Sequence, residues 1–286
     1  MRASLWLVLG GLLVGAWPVL QSGTAQAEGG RTPIRIAYVP PKDPSHEMLY
    51  QTLRSNRVLE RLRASLAGIT LPKVLTMRIE GCDGDVNASY EASDTTLTIC
   101  YEYLAYIQEL AHDLPPAAAA EGLTPGNYVI GPFLEVVLHE LAHAIFDLKK
   151  VPILGREEDA ADQLAAYALL QMGEQEARRT IASIAAMYAV EAKDAPPQLK
   201  DFADEHGLPA QRFFNLLCIS YGKDPKTFSD LVAKGYLPKD RAEQCAGEYK
   251  QVAFAVSRLI APAWSGMQRR ARAGHRKSVM RADSIH

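Results

Sequence analysis

The chain lacks any excess of charge. Its 286 residues hold 31 basic and 33 acidic side chains, for a formal net charge of -2, so no global electrostatic attraction draws it to nucleic acid. The one local basic excess, Arg269 to Arg281, reads as a solvated tail. Cysteine is scarce, with four residues and no CxxC pair, which argues against a four-thiolate zinc site. Past the first 20 residues no apolar stretch reads as long enough to span a bilayer. Neither a twin-arginine pair near the start nor a cysteine near residue 27 is present, so those two export and lipid-attachment signals are missing.

What the N-terminus does have is Arg2, an apolar run from Leu5 to Leu20 broken by Pro18, and Ala25-Gln26-Ala27. That order is a signal peptide with cleavage after Ala27; an uncleaved anchor is the alternative. The expected organisation is a signal peptide over 1–27, one domain over 28–262 and a flexible basic tail over 263–286. The mature protein is expected to be soluble, exported to a periplasmic or secreted location, and not stably inserted in a membrane. In an oxidising compartment an even set of cysteines forms disulfides. Of three pairings the local one, Cys82–Cys100 and Cys218–Cys245, is the simplest, each bridge contributing about 3 kcal/mol.

Alternation predicts strands at Ile34–Val39, Val74–Ile79 and Thr95–Tyr101, with a shorter one near Ser89–Tyr90. Helical spacing runs over His46–Leu66, from Tyr101 through Leu110, and from Gly131 to about Leu148, with Pro132 in a first turn. Further helices are expected at 157–172, 174–192, 209–220, 226–233 and 240–260. This order gives an α+β fold with a small N-terminal sheet followed by helices.

The chemistry lies in His139-Glu140-Leu141-Ala142-His143. Histidines at i and i+4 stand on one helix face and can reach one cation. Glu140, beside them, is placed to take a proton from a water that attacks a peptide carbonyl. Average residue usage yields a chance HExxH in about one chain in a hundred of this length. The apolar neighbours Phe133, Val137, Leu141 and Ile145 bury the helix, and buried His and Glu need partners.

Three protein ligands are expected for a hydrolytic zinc. A metzincin extension is absent, because Phe146 and Lys149 occupy its glycine and histidine positions. The third ligand is sought in Glu157-Glu158-Asp159, on a helix that the short connection folds back. Glu158 and Asp162 share a face, so Glu158 is preferred for the metal and Asp162 for an imidazole N–H. Glu157 and Asp159 stay as alternatives, since acids in a first turn also complement the helix dipole. Tyr167 is assigned to core packing, and His46 and His112 to solvent.

Glu158-Asp159-Ala160-Ala161-Asp162 resembles the Glu-x-x-Ala-Asp element of gluzincin peptidases. The chain over 34–260 resembles a bacterial family of zinc metallopeptidases without an assigned physiological role. The matching pieces are Gly81-Cys82, Asn87-Ala88-Ser89-Tyr90, Ile99-Cys100-Tyr101-Glu102, the HExxH segment, Gly155 to Gln163, His206, Arg212 to Cys218 and Tyr221-Gly222. Ala142 departs from a glycine common in that family. The resemblance implies one zinc ion, a zincin-like fold and a peptide or protein substrate. It also favours His206 as a donor to the developing oxyanion; a capping role in its polar loop is the alternative. Arg212 is expected either to help there or to pair with a structural carboxylate. Zincin architecture further implies that Thr95–Ile99 forms the cleft edge, to which an extended substrate adds as a strand. Two rival readings keep the same ligands: a zinc-stabilised binding protein without turnover, and an amidase acting on cell-wall peptides.

Overall fold

A computed structural model describes residues 34–120, 122–193 and 197–260. The expected signal peptide (1–27), residues 28–33 and 261–262 of the expected domain, and the expected tail (263–286) lie outside the described residues.

A four-stranded mixed sheet comes first, followed by a mostly helical part, an α+β arrangement. The strands are β1 (Ile34–Tyr38), β2 (Leu75–Glu80), β3 (Ala88–Glu91) and β4 (Thr96–Cys100), in the order β1-β2-β4-β3. β1 and β4 run parallel to β2, while β3 is antiparallel to β4 with Ser89 opposite Thr98. β2 alternates buried and half-buried residues, but all five residues of β4 are buried, Thr96 and Thr98 included. β4 therefore does not form the cleft edge. Both of its sides are hydrogen-bonded to neighbours, which leaves no open row of N–H and C=O groups for a substrate strand. The free edge on that side belongs to β3.

The stretch predicted as one helix over His46–Leu66 is two: α1 (Glu47–Ser55) and α2 (Val58–Ser65). Arg57 between them is left-handed, with φ 54°, and the Asn56 side chain donates to the Thr52 carbonyl at 2.8 Å. Asn56 thus caps the first helix from within, a competition with the helical ladder that its short amide permits. His46 is half-buried against the Tyr101 ring at 5.8 Å rather than solvated.

α3 (Tyr101–His112) starts directly from β4. Cys82 and Cys100 lie at disulfide distance, with Cα atoms 5.5 Å apart, and tie the turn after β2 to this junction. Glu102 supports the same turn by accepting the N–H groups of Cys82 and Gly84 at 3.0 and 3.1 Å.

α4 (Ile130–Lys149) is the central helix, buried on nearly every side. It follows a short turn, Pro125–Tyr128, whose Thr124 cap and Asn127 exchange hydrogen bonds. The stretch Pro125–Lys149 is, against expectation, long and apolar enough to cross a bilayer. However, 83% of its most apolar window is buried inside the protein, the mark of a core helix. α5 (Glu157–Leu169), α6 (Glu174–Glu191), α7 (Pro209–Lys223) and α8 (Lys239–Ala255) complete the helical part. The segment expected to be helical over 226–233 is shorter, Ser229–Ala233.

Two glycines set helix spacing. A Cβ on Gly131 of α4 would stand 2.7 Å from the Thr180 carbonyl oxygen of α6. On Gly222 of α7 it would overlap the backbone of Cys245 in α8, beside the second disulfide-distance pair, Cys218 and Cys245, with Cα atoms 5.0 Å apart. At both crossings only a hydrogen fits.

Candidate metal centre

α4 and α5 pack against each other because the seven-residue connection, 150–156, reverses the chain. This brings the first turn of α5 onto the His139–His143 face of α4. Glu158 Oε2 lies 2.9 Å from His139 Nε2 and 3.3 Å from His143 Nε2, and the two imidazole nitrogens are 3.2 Å apart. Three donor atoms from three side chains thus form one small triangle.

The far side of each ring is also held. His139 Nδ1 is 2.8 Å from Asp162 Oδ1, and His143 Nδ1 is 2.8 Å from Glu157 Oε1. Glu157 therefore sits behind an imidazole rather than within the triangle, while Asp159 turns away to pair with Arg156 at 3.2 Å. His206 enters from the segment ahead of α7. Its Nε2 is 2.9 Å from Glu158 Oε2, its Nδ1 faces Asp204 at 3.3 Å, and its ring stacks over His139 at 5.8 Å.

Glu140 is only 7% exposed and takes no hydrogen bond from the described residues. Burial pushes its pKa up, with His139 and His143 pulling the other way. The Glu140 carboxylate stands close enough to His139, His143 and Glu158 for their charges to act on it.

The charges around the imidazoles explain their own shifts. Burial opposes charging His139, but the Asp162 and Glu158 carboxylates outweigh it and hold the pKa at about 10. Burial likewise opposes charging His143, and Glu158 and Glu157 outweigh it. Glu158 accepts from three imidazoles, which overcome its burial and hold it well below the usual carboxylate range. The His206 imidazole is raised chiefly by Glu158. Several carboxylates facing buried imidazoles form a pocket of negative potential that takes up protons where it has no stronger cation.

The donor set fits a divalent metal of zinc type, two imidazole nitrogens and a carboxylate oxygen. A tetrahedral zinc with ligands at about 2.0–2.1 Å has donor–donor edges of about 3.3 Å, and the triangle measures 2.9, 3.2 and 3.3 Å. A second grouping, Cys82, Cys100 and Glu102, does not fit, because its sulfurs are paired with each other.

Residues 38–260 match the family DUF4344, described as "Putative metallopeptidase". The chain belongs to this family. No curated protein and no solved structure showed a significant match to it. Membership supports a metallopeptidase function in general, and with it a bound metal ion and a peptide substrate.

Sequence reasoning missed Glu135 and Tyr188. Glu135 is one turn before His139 on α4 and buried; its Oε1 accepts from Tyr188 OH at 2.7 Å and from Arg212 Nη2 at 3.2 Å. A lone carboxylate at i−4 from a motif histidine, within an apolar run, was the available signal. Arg212 pairs with carboxylates, Asp162 and Glu135, rather than reaching the triangle. Tyr167 packs on the Tyr249 ring at 6.0 Å, and His112 is exposed beside Asp113.

Proposed function

We propose that the protein is an exported, zinc-dependent metallopeptidase of gluzincin type, with His139, His143 and Glu158 as ligands and Glu140 as general base. The observation that carries this is the triangle of three donor atoms, with edges of 2.9–3.3 Å, beside the buried Glu140, which takes no hydrogen bond from the described residues. A zinc ion held there would lower the pKa of a water toward 7 and polarise the scissile carbonyl. Asp162 and Glu157 orient the imidazoles so that both Nε2 lone pairs converge. Glu140 accepts the proton of the attacking water and passes it to the leaving nitrogen. His206 offers an N–H to the oxygen that becomes negative in the transition state. The two disulfide-distance cysteine pairs support an oxidising compartment, in keeping with the signal-peptide pattern of residues 1–27.

One observation favours the rival, a zinc-stabilised protein without turnover. His206 Nε2 stands 2.9 Å from Glu158 Oε2, near enough to act as a fourth ligand, and four protein ligands make a closed, structural site. Glu140→Gln separates the two readings. On the peptidase reading, zinc content persists while hydrolysis of a peptide library falls by about 100-fold or more. A biological activity that survives Glu140→Gln favours the rival. If purified peptidoglycan fragments are cut and the library is not, the amidase reading takes its place.

A further inference from the structure

Four helices meet behind His139 in a largely buried polar cluster, of which the proposed reaction uses only Asp162. Arg212 of α7 holds Asp162 of α5 side-on, with Nε to Oδ2 at 2.8 Å and Nη2 to Oδ1 at 2.6 Å. The same Nη2 reaches Glu135 Oε1 of α4 at 3.2 Å. Glu135 Oε1 also accepts from Tyr188 OH of α6, and the guanidinium lies 4.7 Å over the Tyr188 ring. Asp162 Oδ1 is thus shared by Arg212 and His139 Nδ1.

We infer that Arg212, braced by Glu135 and Tyr188, is a positioning residue for the metal centre: it locks Asp162 so that His139 donates Nδ1–H and keeps its Nε2 lone pair for the metal. This rests on the metallopeptidase reading above. Three features carry it. Arg212 uses both Asp162 oxygens, so the carboxylate has one orientation, and its remaining direction points at His139. Glu135 precedes His139 by one turn, so the guanidinium registers α4 and α5 against each other at the level of the ligand. The cluster is also an unfavourable way to pack helices, because largely burying an arginine and two carboxylates strips them of water and an apolar set would pack as well. A planar fork is needed where two acceptors must be held at fixed angles, and lysine cannot reproduce it.

The test uses the full chain and the variants Arg212→Lys and Arg212→Met. Zinc affinity is read by competition with a chromophoric chelator. The visible spectrum of the cobalt(II) form reports ligand geometry, and melting of the metal-free forms reports stability alone. Arg212→Met is expected to bind zinc about 10–100-fold more weakly, with an altered cobalt spectrum, and Arg212→Lys to recover part of the loss. A parent-like spectrum and an affinity within about twofold of the parent in the folded variants, even with a lower melting temperature, would overturn the inference and leave a structural ion pair. If Arg212→Met does not fold, Arg212→Lys decides on the same criterion. A parent protein that binds no zinc overturns the metallopeptidase reading itself, and this inference with it.

Discussion

The two motif histidines live in different surroundings. His139 is 3% exposed, and the carboxylate behind it, Asp162, is fixed by Arg212 within a cluster spanning four helices. His143 is backed by Glu157, whose side chain is 52% exposed and has no cation holding it among the described residues. One imidazole is aimed by the protein interior and the other by a solvated contact. An ion pair in water is worth about 0–1 kcal/mol, whereas a largely buried carboxylate bonded on both oxygens, as Asp162 is, orients its partner more strongly. The carboxylate behind His139 is thus held on both oxygens by the protein, while the one behind His143 faces solvent.

The largest expected effect tests the inner side. Asp162→Asn removes the charge but keeps the shape, and should weaken zinc binding about 10–100-fold in a chelator competition. Equal losses in Asp162→Asn and Glu157→Gln would erase the contrast. Next comes the packing that fixes the inner helices. Gly131→Ala presses a methyl onto the Thr180 carbonyl and should cost about 1–3 kcal/mol in denaturant unfolding; a parent-like midpoint would mean that α4 and α6 can separate freely. On the outer side, Glu157→Gln should weaken zinc binding by no more than about fivefold, the ceiling for a solvated pair.

The smallest effect concerns an ion pair far from the metal, Asp230 with Arg178. The Arg178 guanidinium holds the Asp230 carboxyl below its ordinary value. A depressed carboxylate stabilises the fold above its unfolded pKa, and that contribution fades as pH falls through the folded one. Asp230→Asn should therefore lower the melting temperature slightly at neutral pH. The difference should begin to shrink as pH falls below about 4 and vanish only below the depressed folded pKa. A gap that persists in acid would show that shape, not charge, matters there.

The contrast also marks how far the sequence could be read. HExxH spacing places two imidazoles together without any tertiary knowledge, and the short 150–156 connection is enough to bring Glu158 and Asp162 onto them. Local order likewise determined the strands and most helices. The break at Asn56-Arg57 was hidden because neither residue is a glycine or proline, and the left-handed turn comes from an asparagine cap. The interior position of β4 was hidden because strand order depends on pairing between distant segments, β2 and β3. Glu135 and Tyr188 were hidden for the same reason: each resembles an ordinary helical residue until α6 and α7 bring Tyr188 and Arg212 to the same carboxylate. Burial of the 125–149 stretch, too, is a property of its neighbours rather than of its own composition.

The central claim is that His139, His143 and Glu158 hold one zinc ion. Metal analysis of the purified protein beside Glu158→Ala tests it most directly. About one zinc per chain is expected in the parent, with loss of zinc in Glu158→Ala. Zinc retained undiminished in Glu158→Ala would contradict it and move the third ligand to a neighbouring group, Glu157 or His206.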